Sequence, residues 1–182
     1  SLSKYKVPFI FFNSNGTEGD VRVLVHECGH AYQYYCSSRE VPVKELEWPT
    51  ADSAEIHSFG MELLTWPYME EFFGSDADKY RYGHLFDMLA LIPYMVAIDE
   101  FQHLVYENPD CGADQRHVFW KSMEEKYMPW RDYGELPFVK DGCFWQQQRH
   151  LYLAPFYYID YALAKACALQ LWQIARTDPK DA

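Results

Sequence analysis

The 182-residue sequence is short of positive charge, with 16 Lys and Arg against 27 Asp and Glu and a net charge of −11 with His neutral. A chain of that balance presents no basic surface to phosphates, so nucleic-acid binding is not expected. It has no long apolar run. The longest, Met88 to Ile98, is broken by Pro93 and falls well short of the roughly 20 residues that cross a bilayer, so no association with a membrane is expected. Its first residues lack the charged and then apolar pattern of a secretion signal. Paired cysteines are also missing: Cys28, Cys36, Cys111, Cys143 and Cys167 are odd in number, scattered and form no CxxC. The expectation is free thiols in a reducing compartment and a cytoplasmic location. With only 9 Gly and 10 Pro, no repeat and no low-complexity stretch, the chain is neither fibrous nor disordered.

Apolar and aromatic residues are plentiful: 49% of residues are hydrophobic, among them 12 Phe, 15 Tyr and 6 Trp. That is enough to build a core, and more large rings than a chain of this length easily covers by itself. The expectation is a piece of a longer polypeptide whose remainder packs against it.

The fold class expected from the pattern is mostly α with one short edge strand. Val7 to Phe12 is an apolar, aromatic run closed by the turn residues Asn13 to Thr17, and Pro8 near its start restricts it to a sheet edge. From Asp20, a plausible N-cap, apolar residues recur at three- and four-residue intervals to about Cys36, the pattern of a first helix. A connecting loop, Arg39 to Pro49, leads to a second helix over Ile56 to Leu64, with Asp52 and Glu55 at capping-box spacing and Pro67 closing it. A long helical segment from Asp76 to Tyr106 must bend or divide at Pro93. Gly112 to Tyr127 carries another helical pattern, and Phe144 to Arg176 a last one interrupted at Pro155.

The first helix contains His26-Glu27-Cys28-Gly29-His30. Residues four apart share a helix face, so both imidazoles can reach one metal ion, with Glu27 on the side where an activated water would lie. Two histidines leave such a site incomplete. Glu55 and Glu62, seven residues apart on the second helix, share a face from which one can ligate while the other accepts the free N–H of a ligand histidine. On spacing alone Glu55 reads equally as a helix-capping carboxylate, and His57 points to another face. Near the C-terminus His150, Tyr152, Tyr157, Tyr158 and Tyr161 cluster. Such clusters usually belong to a core, although phenol and imidazole donors also serve a developing oxyanion.

His26 to His30, then Ala54-Glu55-Ile56-His57-Ser58 with Met61-Glu62, then His150 with Pro155-Phe156-Tyr157-Tyr158-Ile159-Asp160-Tyr161-Ala162-Leu163-Ala164, resemble in order the oligoendopeptidase F branch of the thimet oligopeptidase family of zinc metallopeptidases. Tyr5 to Phe11 and Asn15-Gly16-Thr17 resemble the strand and loop upstream of that family's metal helix. The resemblance spans nearly the whole chain. It implies a gluzincin-type catalytic region in which His26, His30 and Glu55 bind one zinc ion, Glu27 is general base and acid, and Glu62 stands behind a ligand histidine. It further implies that His150 and Tyr157 stabilise the transition state and Tyr161 contacts substrate. Tyr158 is open as a substrate contact or as the reacting partner in place of Tyr157, since the spacing after His150 varies between branches. The family's remaining C-terminal tyrosine has no counterpart, Ala164 standing about where it would fall.

Members of that family are much longer, with a helical N-terminal portion closing over a channel that admits short peptides. By the resemblance residues 1–182 are the C-terminal part of the catalytic domain, packed in the whole protein against that missing portion. The activity implied is endopeptidase cleavage of short peptides, with the segment Val7 to Phe12 holding substrate by its backbone. The competing readings are a zinc-containing peptide-binding module without turnover, an inactive fragment, a helical domain with a coincidental motif, and a zinc hydrolase acting on other amides.

Overall fold

The computed structural model describes residues 2–177. Seven α-helices are formed among these: α1 (Glu18–Glu40), α2 (Ala51–Leu64), α3 (Glu70–Phe73), α4 (Ala77–Glu107), α5 (Ala113–Tyr127), α6 (His150–Leu153) and α7 (Tyr158–Thr177). Short 3-10 and π turns join several of them. The chain divides into two compact units, Ser1–Phe86 with Leu163–Ala182, and Asp87–Ala162.

The edge strand is not formed. Residues 8–13 take no regular secondary structure, and the only isolated bridge among the described residues joins Leu2 to Val7 across a tight turn. A run of strand-like residues becomes a strand only when a second strand presents its backbone groups, and none of the described residues does.

In the first unit, α1 is longer than its apolar repeat. Past Cys36 it is carried to Glu40 by polar ties: the Ser37 hydroxyl donates to the Glu47 carbonyl at 2.5 Å, and the Arg39 guanidinium lies over the Tyr35 ring and donates to the Lys6 carbonyl at 2.8 Å. Asp20 is not the N-cap. It lies inside the first turn, with Thr17 at the cap, and its carboxylate accepts from the Ser14 hydroxyl and the Asn15 and Gly16 N–H groups. It therefore pins the preceding loop to the helix, and those hydrogen bonds hold its carboxyl below the ordinary range.

α2 begins after Thr50, whose hydroxyl, with the Ser53 N–H, serves Asp52. Its inner face packs along α1. The closest approach is at Gly29, where an added Cβ would lie 2.6 Å from the His57 carbonyl oxygen and 2.6 Å from the Ser58 Cα. The bulk of this unit's core is Leu63, Met69, Trp66, Ala77 and Tyr80, with Ala164 and Ala168 from the far part of α7.

The second unit is built around Tyr94, Ala97, Ile98 and Phe101 of α4, Trp120 and Met123 of α5, and Met128 and Trp145. Pro93 lies within α4 without ending it, so the helix is not divided there. The stretch Glu70–Glu107 is long and apolar enough to cross a membrane by length and composition; of its apolar residues Tyr94, Ala97, Ile98 and Phe101 lie in this core, while Phe86, Leu89 and Leu91 are exposed. Gly142 allows another close approach: its φ is +87°, and a Cβ there would stand 2.3 Å from the His117 carbonyl oxygen. The five cysteines are free.

Candidate metal and catalytic site

The helical spacing of His26 and His30 places their rings edge to face with centroids 4.9 Å apart. Glu55 meets them from α2. Its Oε2 lies 3.3 Å from His26 Nε2 and 3.6 Å from His30 Nε2, and one ligand atom from each of the three residues falls within 4.8 Å of the others. Glu55 is buried and accepts the Ser58 hydroxyl at 2.9 Å, so it does not cap the helix. It is aimed across the interface that Gly29 opens. His57, as its position on α2 implied, is exposed.

Glu62 approaches the same imidazole from the other nitrogen, with His26 Nδ1 2.7 Å from Glu62 Oε1. Two carboxylates seven residues apart on one helix therefore bracket a single histidine. Burial works to raise the Glu62 carboxyl, but hydrogen bonds from His26 and His84 outweigh it and hold it at about 2. For His26, burial would lower the imidazole, yet Glu55 and Glu62 push it up to about 9. His30 goes the other way, lowered chiefly by burial.

The donor set fits zinc. Two imidazole nitrogens and one carboxylate oxygen converge, the carboxylate is buried, and His26 Nδ1 is engaged by Glu62, which leaves Nε2 as the nitrogen facing the cluster. Glu27 and His30 line a cavity of about 340 Å³ whose other walls include Phe9, Ile10, Tyr34 and Trp48. The Tyr34 hydroxyl and His30 Nδ1 are buried there without a hydrogen-bond partner among the described residues. Pro8, Phe9 and Ile10 thus form a wall beside Glu27 although the segment is not a strand.

The C-terminal cluster belongs to the second unit. The His150 ring lies against Tyr157 (6.0 Å between centroids, nearly parallel), Tyr158 (4.8 Å) and Tyr161 (5.8 Å, perpendicular). Tyr94 donates to Gln148 Oε1 at 3.0 Å, and the Gln148 amide nitrogen lies 2.6 Å from His150 Nδ1. An amide donor at Nδ1 leaves the imidazole proton on Nε2, where it can be offered as a hydrogen bond. Tyr158 packs against the core cluster and burial pushes its phenol up, while Tyr157 is not part of that packing.

Sequence reasoning missed Gln148, Tyr94, His84 and Trp66. Gln148 lies two residues before the imidazole it serves, while Tyr94, His84 and Trp66 act through another side chain from a distant part of the sequence, and no spacing rule points to such residues. Gly29 carried a signal that was legible, since a glycine inside a helix between two candidate ligands costs stability unless something approaches it closely.

No curated protein matches this chain. Two solved structures do. One, described as an oligoendopeptidase F, is 53% identical with a TM-score of 0.92, covering 98% of this chain and 31% of its own. The other, PZ peptidase A with an inhibitor, is 50% identical with a TM-score of 0.93, covering 98% and 32%. This chain therefore spans about a third of the length of those proteins. A family model for peptidase family M3 matches residues 2–181, and with that match across nearly all of its length the chain belongs to peptidase family M3.

Proposed function

We propose that this chain is the C-terminal part of the catalytic domain of a zinc-dependent endopeptidase that cleaves short peptides, in the manner of the oligoendopeptidase F branch. The observation that carries this is the convergence of His26, His30 and Glu55, with His30 and Glu27 lining one cavity. Those three residues would hold one zinc ion per chain. When bound, zinc supplies Lewis-acid polarisation of a carbonyl and acidification of a water. Glu27 takes the proton of the attacking water and delivers it to the departing amine. His150, with its proton on Nε2, and Tyr157 donate to the developing oxyanion, while Tyr158 and Tyr161 contact substrate. The core packing of Tyr158 favours Tyr157 as the donor. The segment Val7 to Phe12 holds a peptide by its backbone alongside Glu27. The remainder of the longer polypeptide packs on this region, and the protein works in the cytoplasm.

Glu27→Gln and His30→Ala test the roles together. Metal analysis and peptide cleavage should show Glu27→Gln keeping about one zinc and losing turnover, and His30→Ala losing both. Normal turnover by Glu27→Gln would remove the general base. Full zinc with peptide bound but uncleaved in the wild type would favour the non-catalytic module.

A further inference from the structure

Behind the candidate metal site lies a buried relay that the ligand set does not require. Glu62 gives one oxygen to His26 and the other to His84, with His84 Nε2 2.6 Å from Glu62 Oε2. The other nitrogen of His84 accepts the Trp66 indole N–H at 2.9 Å. His84 is buried, its side chain 1% exposed. Tyr80 stacks over the imidazole and Phe73 over Tyr80, while Trp172 holds Trp66 edge-on. All of these residues belong to the first unit.

Trp66 fixes the direction of the hydrogen bond between His84 and Glu62. An indole nitrogen only donates, so His84 Nδ1 must accept, and the neutral imidazole carries its proton on Nε2. That proton can go only to Glu62 Oε2. Glu62 Oε2 is therefore an acceptor, and donation there favours a carboxylate that takes the Nδ1–H of His26 at Oε1. The consequence is that His26 Nε2, 3.3 Å from Glu55 Oε2, is the nitrogen left for a metal. Without His84, one carboxylate oxygen would be buried and unpartnered, and the Glu62 side chain would be free to turn about its terminal bond.

We propose that His84, oriented by Trp66, is a positioning residue for the metal site: it acts through Glu62 to set the tautomer and ring angle of His26. The inference rests on the zinc reading above. Partners of this kind behind a ligand typically account for 10–100-fold in metal affinity, and a residue one step farther out should fall near the low end of that range.

The test uses the zinc-loaded protein, with zinc affinity measured by chelator competition and the visible spectrum recorded after cobalt substitution. The wild type comes first: absence of tight zinc binding there would remove the metal reading itself, and the inference with it. Given zinc in the wild type, His84→Leu should weaken binding about tenfold and alter the cobalt bands. His84→Gln offers an amide donor to Glu62 and a carbonyl to Trp66, and should restore most of both. Trp66→Phe keeps a ring but removes the N–H, so it should shift the cobalt bands in the direction of His84→Leu even if the leucine variant fails to fold. Shifted bands in Trp66→Phe together with near wild-type affinity and spectrum in His84→Gln support the inference; wild-type affinity and spectrum in a folded His84→Leu, or in Trp66→Phe where the leucine variant does not fold, overturn it while leaving intact a zinc site that Glu62→Gln still weakens.

Discussion

Gly29→Ala is the sharpest perturbation of the site that leaves every candidate ligand in place. Helix propensity alone favours alanine by about 1 kcal/mol. The structure opposes it: the new Cβ would stand 2.6 Å from both the His57 carbonyl oxygen and the Ser58 Cα, short of ordinary contact at 3.4 Å by about 0.8 Å. Both opposing atoms are helix backbone and cannot rotate away, so α1 and α2 must part. Overpacking of this kind costs about 1–3 kcal/mol, and rigid partners place it at or above the upper end, leaving a net loss of about 2 kcal/mol after the propensity gain. For a chain of this size that lowers Tm by roughly 4–8 °C. Because Glu55 rides on α2 and both histidines on α1, the parting exceeds the ~0.2 Å that metal–ligand distances tolerate, and zinc affinity should fall at least about tenfold. Gly60→Ala is the control. Nothing lies within 4 Å of its Cβ position, so it should raise stability by up to about 1 kcal/mol and leave zinc unchanged. Thermal unfolding of the metal-free protein and chelator competition read both effects. Equal or greater stability in Gly29→Ala with wild-type zinc affinity would refute the argument.

Tyr157→Phe should keep zinc and lower kcat by about 10²–10³, the usual cost of one oxyanion donor; peptide kinetics with wild-type turnover would move the role to Tyr158 or remove it. In the metal-free protein His26 is raised from 6.5 to about 9, so the stability its protonated form contributes is complete below 6.5 and is lost as pH rises through 9. Zinc must displace that proton, since a ligand imidazole is neutral. Apparent zinc affinity, followed by chelator competition, should rise about tenfold per pH unit toward 9 and flatten above it; a flat profile from pH 7 to 9 would show that His26 is already neutral.

Most of the helices were legible because helix formation is local. A repeat of three and four residues, a proline and a cap residue act within one or two turns, and α2, α4, α5 and α7 begin and end close to where those signals lie. The errors came where the deciding partner is remote. Val7 to Phe12 has the composition of a strand, but pairing needs a second strand that composition cannot supply. The extra turn at the end of α1 depends on the Glu47 and Lys6 carbonyls, and Asp20 looked like a cap because the loop it pins is invisible to a spacing rule.

The site divides along the same line. His26, Glu27 and His30 share a helix, so their spacing fixed their relation before any fold was known. Glu55 could not be separated from a capping residue by spacing, because the distinction lies in burial and in the approach of α1 at Gly29. The relay behind it was least legible of all. His84 lies 22 residues from Glu62 and Trp66 18 from His84, in no motif, and neither would touch a metal. What identifies them is the demand of a buried carboxylate for a partner at each oxygen, and of a buried imidazole for one at each nitrogen. Followed outward from His26, that demand ends at an indole N–H, a group that can only donate. An imidazole at the end of the chain could reverse its tautomer and withdraw the proton that His84 gives to Glu62; an indole cannot, so the carboxylate that holds His26, the candidate ligand, is itself held from outside the candidate metal site.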